Sequence, residues 1–500
     1  MKPAASADAE SPEEVSHHFS FMRYRSDYVV NADATNAVTN EYEILINTQS
    51  GVDQFSQVRL GYSEKMETLE VLEAYTLTAD GQRRDVPEDK IYIQESYSSA
   101  AAAMYADRKV KVIVFPNLAP GSRLIYRVHR QQTTPYFPGY FGLWETFSVF
   151  LAYEDARVTL QAPADLPMHV YSRGVQGGDR PRLSQGAAVW EWRYRRSTPM
   201  PHQNWVAASW EFSPIIMAST YASYSEIGLA YQHKAAEAAE VSAKIRAKAD
   251  EITAGIDDRR EQAAALYRWV AKNIRYVAVY LGNGGLEPNS ADSILDNQYG
   301  DCKDHVVILE ALLAAKGIAS TPALVGAGGG PTLPKVAVLG RFNHVITYVP
   351  EFDLYLDSTE PFARFGQLPA ANLGSPVVHT VDGVLARTRP DTAETNRELV
   401  VSQFNFERNG DVSGKTQLDN GEAGEIAQRY AFSQINAQNR ARIEEIILTA
   451  SGFNGSGKLV VDGDPHDLQR PFRLSYRFQA KDYVDFDVVG GMTLPDTPGA

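Results

Sequence analysis

The stretch 297–317, "NQYGDCKDHVVILEALLAAKG", holds the only cysteine of a 500-residue chain. From Val306 to Ala315 every residue but Glu310 is apolar, and Gly317 is suited to stop a helix. Cys302 follows the turn residue Gly300, so it falls in the first turn of a buried helix. Backbone N–H groups there lack intrahelical acceptors, and the helix dipole puts partial positive charge beside the sulfur. Both favour a thiolate and a developing oxyanion. A lone cysteine in a core is more often an inert apolar plug. The residues downstream decide between the two readings.

A nucleophilic thiolate needs a base to keep its proton nearby. His344 lies 42 residues on, in "RFNHVITYV", where alternation puts Phe342, His344, Ile346 and Tyr348 on one strand face. A ring nitrogen on an apolar face calls for a partner, and Asp357 in "LYLDST" is the candidate. If "PEFD" is a four-residue loop, Val349 pairs with Leu354, and His344 and Asp357 become diagonal neighbours about 7–8 Å apart between backbones. A loop two residues shorter puts them directly opposite. Either register brings the carboxylate to the imidazole, giving Cys302, His344 and Asp357 the order and placement of a thiol triad.

Other residues carry weaker signals. Gln298, four residues before the cysteine, offers a side-chain amide to the oxyanion, against its plainer reading as loop polarity. Asn343 is a site-ordering candidate that reads more simply as exposed strand polarity. Asp301, Asp304 and His305 crowd one helical turn and do not converge as metal ligands, and no CxxC or HExxH spacing exists. Asn283, Gly284 and Gly285 resemble a phosphate loop only superficially, because no GK[ST] follows. No metal and no cofactor is expected.

Outward from this centre the chain changes character. Residues 1–225 read as short strands. In "AVWEWRYRR", Trp190, Trp192 and Tyr194 alternate with Glu191, Arg193 and Arg195, and "TLEVLEAYTLTADGQRRDV" is a strand turning at Asp80-Gly81. Such a run predicts a β-sandwich-like domain. Residues 226–256 read as a helical connector, in which 226–252, rich in Ala, Glu and Lys, forms one long helix. A helix opening at Asp257-Asp258 begins an α+β core at 257–385. From 395 to 500 β character returns, with a hairpin at Asn409-Gly410 and a helix over "AQNRARIEEIILTASG". The expected fold is therefore multidomain α+β.

"YGDCKDHVVILEALLAAKG", then "NHV", then "LDST" resemble the transglutaminase-like superfamily, which shares its core with papain-type thiol hydrolases. The resemblance is strong over residues 265–380. It extends to bacterial proteins that join this core to a large, uncharacterised β-rich N-terminal domain. It implies Cys302 as nucleophile, His344 as base and Asp357 as the residue that orients it. His305, in "CKDH", stands where such proteins often carry a basic residue. The implied activity is a cysteine protease or amidase on a protein or peptide substrate. The alternatives are a crosslinking acyltransferase, using the same triad, and a non-catalytic protein- or glycan-binding module.

Composition narrows the setting. Hydrophobic content of 44% and charge content of 22% are ordinary globular values. A net charge of −14 argues against nucleic acid as partner. No apolar run is long enough to span a bilayer as a helix. One cysteine allows no internal disulfide, which suits the cytosol and equally an exported protein with a reactive thiol. The start, "MKPAASADAESPEEVS", has no signal-peptide core. The resemblance implies a periplasmic or exported protein, with a cytoplasmic one as alternative. The N-terminal strands, with aromatic pairs but no nucleophile beside a base, are expected to select substrate rather than do chemistry. The oligomeric state is not readable.

Overall fold

The computed structural model describes residues 17–95, 108–201, 209–277, 286–450 and 452–485. Its architecture is multidomain α+β, with a β-rich N-terminal region. There, Phe19–Val30 pairs in parallel with Ala152–Pro163 and antiparallel with Asn36–Ile46, at the centre of a nine-stranded sheet. The alternation in Ala187–Arg196 makes it a half-buried strand: Trp190, Trp192 and Tyr194 point into the core while Arg193 and Arg195 stay exposed. A row of cross-strand partners, Tyr126–Tyr42–Tyr24–Ala156–Tyr194, crosses one face of the sheet. Two small sheets cover that face side by side. One, of Gln57–Ser63, Arg108–Val114 and Ile91–Glu95, closes a core around Ile44, Ile113 and Leu124. The other, of Gly142–Thr146, Ile215–Ser219 and His169–Arg173, closes a core around Trp192, Val158 and Ile216. The aromatic face of one long sheet thus serves two sandwich cores, with the paired-sheet layout that alternating strands favour.

The expected single helix over 226–252 is two. Tyr224–Ala235 ends in a 3₁₀ turn, Ala236–Ala239, and Ala243–Ile252 starts afresh. Ser242 makes the break. Its hydroxyl accepts the Ile245 N–H as N-cap and donates to Asp292, 2.6 Å away. A composition of Ala, Glu and Lys favours helix throughout, so a tertiary contact overrides propensity here.

Arg259–Asn273 is capped by Asp258 and buries Ala263, Leu266, Tyr267 and Val270 against Cys302–Ala315. The latter helix packs on an antiparallel five-stranded sheet ordered Leu354–Leu356, His344–Val349, Thr321–Val325, Pro376–His379, Leu385–Arg387. Leu324, Val345 and Val378 face the helix with Val306 and Cys302. No described helix is long and apolar enough to cross a membrane.

The C-terminal region is a four-stranded antiparallel sheet: Glu398–Phe406, Val412–Asn420, Arg473–Ala480, Gly455–Asp462. Besides the expected helix, Ala437–Ala450, it carries Glu422–Ser433. That second helix holds the region to the core. Glu425 accepts from Arg364 at 3.0 Å, Gln367 at 3.2 Å, Arg429 at 2.9 Å and the Phe472 N–H at 3.0 Å. Arg429, wholly buried, also donates to the carbonyls of Pro465 and Asp467. Glu425→Ala would leave that guanidinium uncompensated, and should cost about 3–5 kcal/mol in urea unfolding. A loss under about 1 kcal/mol would mean that the carbonyls alone satisfy Arg429.

Candidate active site

Asp301 starts the cysteine helix. Its carboxylate accepts the N–H groups of Lys303 (3.1 Å) and Asp304 (3.3 Å), and Asp304 accepts the Asp301 N–H in return (3.2 Å), a capping box. Asp301 also pairs with the buried Lys303 ammonium, and Asn289 donates to Asp304 through both its backbone N–H and its side chain. These acids are thus engaged in building the helix start. The His305 N–H finds the Asp301 carbonyl at 2.9 Å. Of the first four N–H groups, only that of Cys302 has no acceptor among the described residues, and a buried donor calls for one. Cys302 itself is 1% exposed.

The hairpin that carries the other two residues has the four-residue register: Val349 pairs with Leu354 and Thr347 with Leu356. Asp357 follows directly, diagonal to His344, and the two meet: His344 Nε2 lies 2.9 Å from Asp357 Oδ2. The strand begins at His344, so Phe342 precedes it and packs instead with Cys302 and Tyr224. With Nε2 engaged by the carboxylate, Nδ1 is the ring atom left for the thiol, and Cys302 is near enough to act on the titration of His344. Burial draws His344 down, but the charge and hydrogen bond of Asp357, with the Cys302 contact, hold it well above the ordinary histidine range. Burial likewise pushes Asp357 up, and His344 and Thr359 more than reverse this, so the carboxyl is held below its ordinary range.

This has a measurable consequence. A histidine raised in the folded chain contributes stability that is full below about pH 6.5 and is lost as pH rises through the folded value. His344→Gln should therefore be destabilised most near pH 6 and progressively less toward pH 9, relative to wild type, in urea unfolding. A constant gap would mean a neutral ring throughout.

Sequence reasoning passed over several residues of this site. Asn372 donates to Asp357 Oδ2 at 2.7 Å, and Tyr267 donates to the carbonyls of Asp357 (3.2 Å) and Ala363 (3.0 Å). His305 is a buried strut. Its Nδ1 lies 2.8 Å from the Ser358 carbonyl, its ring stands edge-on to Tyr276, and burial lowers it to about 4, so it is neutral. Asn372 and Tyr267 have no local sequence signal and His305 none for this role, because each acts across the fold. Asn343 pairs in both directions with the backbone of Ala327, at 2.7 and 3.0 Å, and so fastens the loop before the base. Gln298 ends the helix Ala291–Asn297 in the left-handed region (φ 55°), and its carbonyl accepts from the Arg275 N–H. Its exposed side chain makes no hydrogen bond to Cys302 or His344 among the described residues. Asn283, Gly284 and Gly285 lie outside the described residues.

The N-terminal region reaches the site directly. Phe137 and Tyr140 share the apolar cluster of Cys302, with Tyr224, Tyr231 and Phe342. Tyr140 accepts the Leu339 N–H at 2.6 Å, Trp210 donates to the Gly329 carbonyl at 2.8 Å, and Ile215 and Met217 pack on Val336 and Val338. The loop leading to His344 is thus clasped from the N-terminal side.

Comparison with known proteins follows the same division. Residues 246–325 match the transglutaminase-like superfamily, and residues 32–201 match a domain of unknown function, DUF3857. No match is found among curated proteins. Among solved structures, a "putative protease" from Parabacteroides distasonis ATCC 8503 is 14% identical and superposes with a TM-score of 0.66 over 93% of both chains, a likeness of fold. A "putative cysteine protease" from Cytophaga hutchinsonii is 13% identical, over 44% of this chain and 78% of that one. Its TM-score of 0.19 is too low to bear on the argument. The helix that begins at Cys302 therefore lies in a transglutaminase-like core, joined in one chain to a DUF3857 domain.

Proposed function

We propose that this chain is a thiol enzyme that cleaves peptide or carboxamide bonds through Cys302, His344 and Asp357. The observation that carries the reading is the largely buried His344–Asp357 pair, 2.9 Å apart, beside a cysteine that opens a capped helix and acts on the titration of the ring. Cys302 Sγ attacks the carbonyl carbon, and the Cys302 N–H donates to the oxyanion that forms. Collapse of the tetrahedral species breaks the C–N bond, and His344 gives its proton to the departing amine. Water then loses a proton to His344 and adds to the thioester, which releases the acid and regenerates the thiol. Asp357 holds the ring and offsets its charge, as the orienting carboxylate does in any such triad.

The test supplies a peptide mixture together with a fluorescent primary amine, and follows both by mass spectrometry. New peptide termini that need Cys302 support hydrolysis. Amine attached to glutamine side chains makes the chain a crosslinking acyltransferase instead. If Cys302 mediates neither, the enzymatic reading fails.

A further inference from the structure

We infer that the outer face of the C-terminal sheet binds an anionic glycan, independently of the thiol chemistry. Three cations stand side by side there. Lys415 is the cross-strand partner of Arg477, and Arg477 is the partner of Lys458. Neighbouring strands are about 4.8 Å apart, so three positive side chains fall in one line across three strands. Like charges directly opposite repel and destabilise a sheet.

The N-terminal sheet has one such row, Arg25–Arg157–Arg193, and acids offset it: Arg25 pairs with Asp155, and Arg157 and Arg193 meet Glu191 at 3.2 and 2.8 Å. On the C-terminal sheet itself Arg473 is 3.8 Å from Asp419. Lys415, Arg477 and Lys458 have no acidic partner among the described residues, in a chain whose net charge is −14. The depression they line has a volume of about 510 Å³ and no carboxylate in its wall. That is the size of a small-molecule site. The rest of its polar lining is neutral: Gln403 continues the cation row as partner of Lys415, while Asn405, Gln479 and two serines flank it.

The chemistry of that wall selects the ligand. An arginine flanked by two lysines takes oxyanions, with the planar guanidinium making paired hydrogen bonds. Amides and hydroxyls both donate and accept, as sugar hydroxyls require. A carboxylated sugar chain presents both, with acid groups on successive units to run along the row. An acidic peptide would bring carboxylates to the cations but no hydroxyls, and would meet the amides and serines with its backbone alone.

Titration calorimetry of the full chain at low salt, with an oligogalacturonate as probe, tests this. Saturable binding is expected, weakening as salt rises because cations and anions are being paired. Arg477→Gln should lower affinity at least about tenfold, and Lys415→Gln/Arg477→Gln/Lys458→Gln should abolish binding. Neutral maltooligosaccharide should not bind, and turnover of a short neutral peptide should be unchanged in every variant. Circular dichroism checks that the variants fold, and Arg477→Lys, which keeps the charge, should bind more weakly than wild type and more tightly than Arg477→Gln. The inference is overturned if wild type does not bind the oligogalacturonate. It is also overturned if the triple variant binds within twofold of wild type, or if polyglutamate binds as well as the glycan, which would make the face a docking surface for acidic protein.

Discussion

Cys302→Ala is expected to lower acyl-transfer turnover by about 10³-fold or more while leaving the chain folded. The thiol is the only one in 500 residues, so no neighbour can substitute. It is 1% exposed and packed among Phe137, Tyr140, Tyr231 and Phe342. Removing one sulfur from such a site should cost about 1 kcal/mol, far less than the chain's folding free energy. The measurement is turnover of a peptide substrate by the purified variant, with its urea midpoint beside wild type. Undiminished turnover in a folded variant would end the thiol mechanism. Serine at this position would be a poorer control, since it buries a hydroxyl among aromatic rings.

Asp357→Asn should be the second largest effect, and its two components separate. Asp357 accepts four hydrogen bonds: His344 Nε2 at 2.9 Å, Asn372 Nδ2 at 2.7 Å, and the Thr359 N–H and hydroxyl at 3.1 and 2.6 Å. Every partner is a donor. An asparagine has one acceptor oxygen, so its NH₂ must face a donor whichever way it turns. That should cost about 1–3 kcal/mol of stability. The rate should fall further, by about 10²- to 10⁴-fold, because the ring loses both its orienting bond and the charge that stabilises imidazolium. Such a factor corresponds to about 3–5.5 kcal/mol of barrier, so the kinetic loss should exceed the loss of stability. The reverse order would mark Asp357 as chiefly a cap of the turn at Ser358-Thr359. Turnover and urea unfolding of one preparation give both numbers.

Much of the site was legible because its signals are local. The turn residue Gly300 before the cysteine and the apolar run behind it specify the start of a buried helix; that Asp301 and Asp304 cap it came from the structure. Alternation in "HVITYV" specifies a strand. Loop length was the ambiguous quantity. Both hairpin registers satisfied the sequence, and the pairing of Val349 with Leu354 chose one. The helical stretch before the core carried no stop signal that composition could show. Its break at Ser242 depends on Asp292, 50 residues away.

By itself, then, the amino-acid sequence determined where the helix of Cys302 begins, that His344 and Asp357 come from two adjacent strand segments, and that the N-terminal region is made of alternating strands. These follow from backbone periodicity and turn residues, which act within a few residues. Only the tertiary structure decided that Asn372, Tyr267 and His305 brace the acid, that Phe137 and Tyr140 wall the thiol, and that Glu425 ties the C-terminal sheet to the segment after Asp357. Those residues are separated along the chain from what they touch. Their contacts are set by burial of apolar surface between elements and by the need to pair each buried polar group, neither of which leaves a mark at short range.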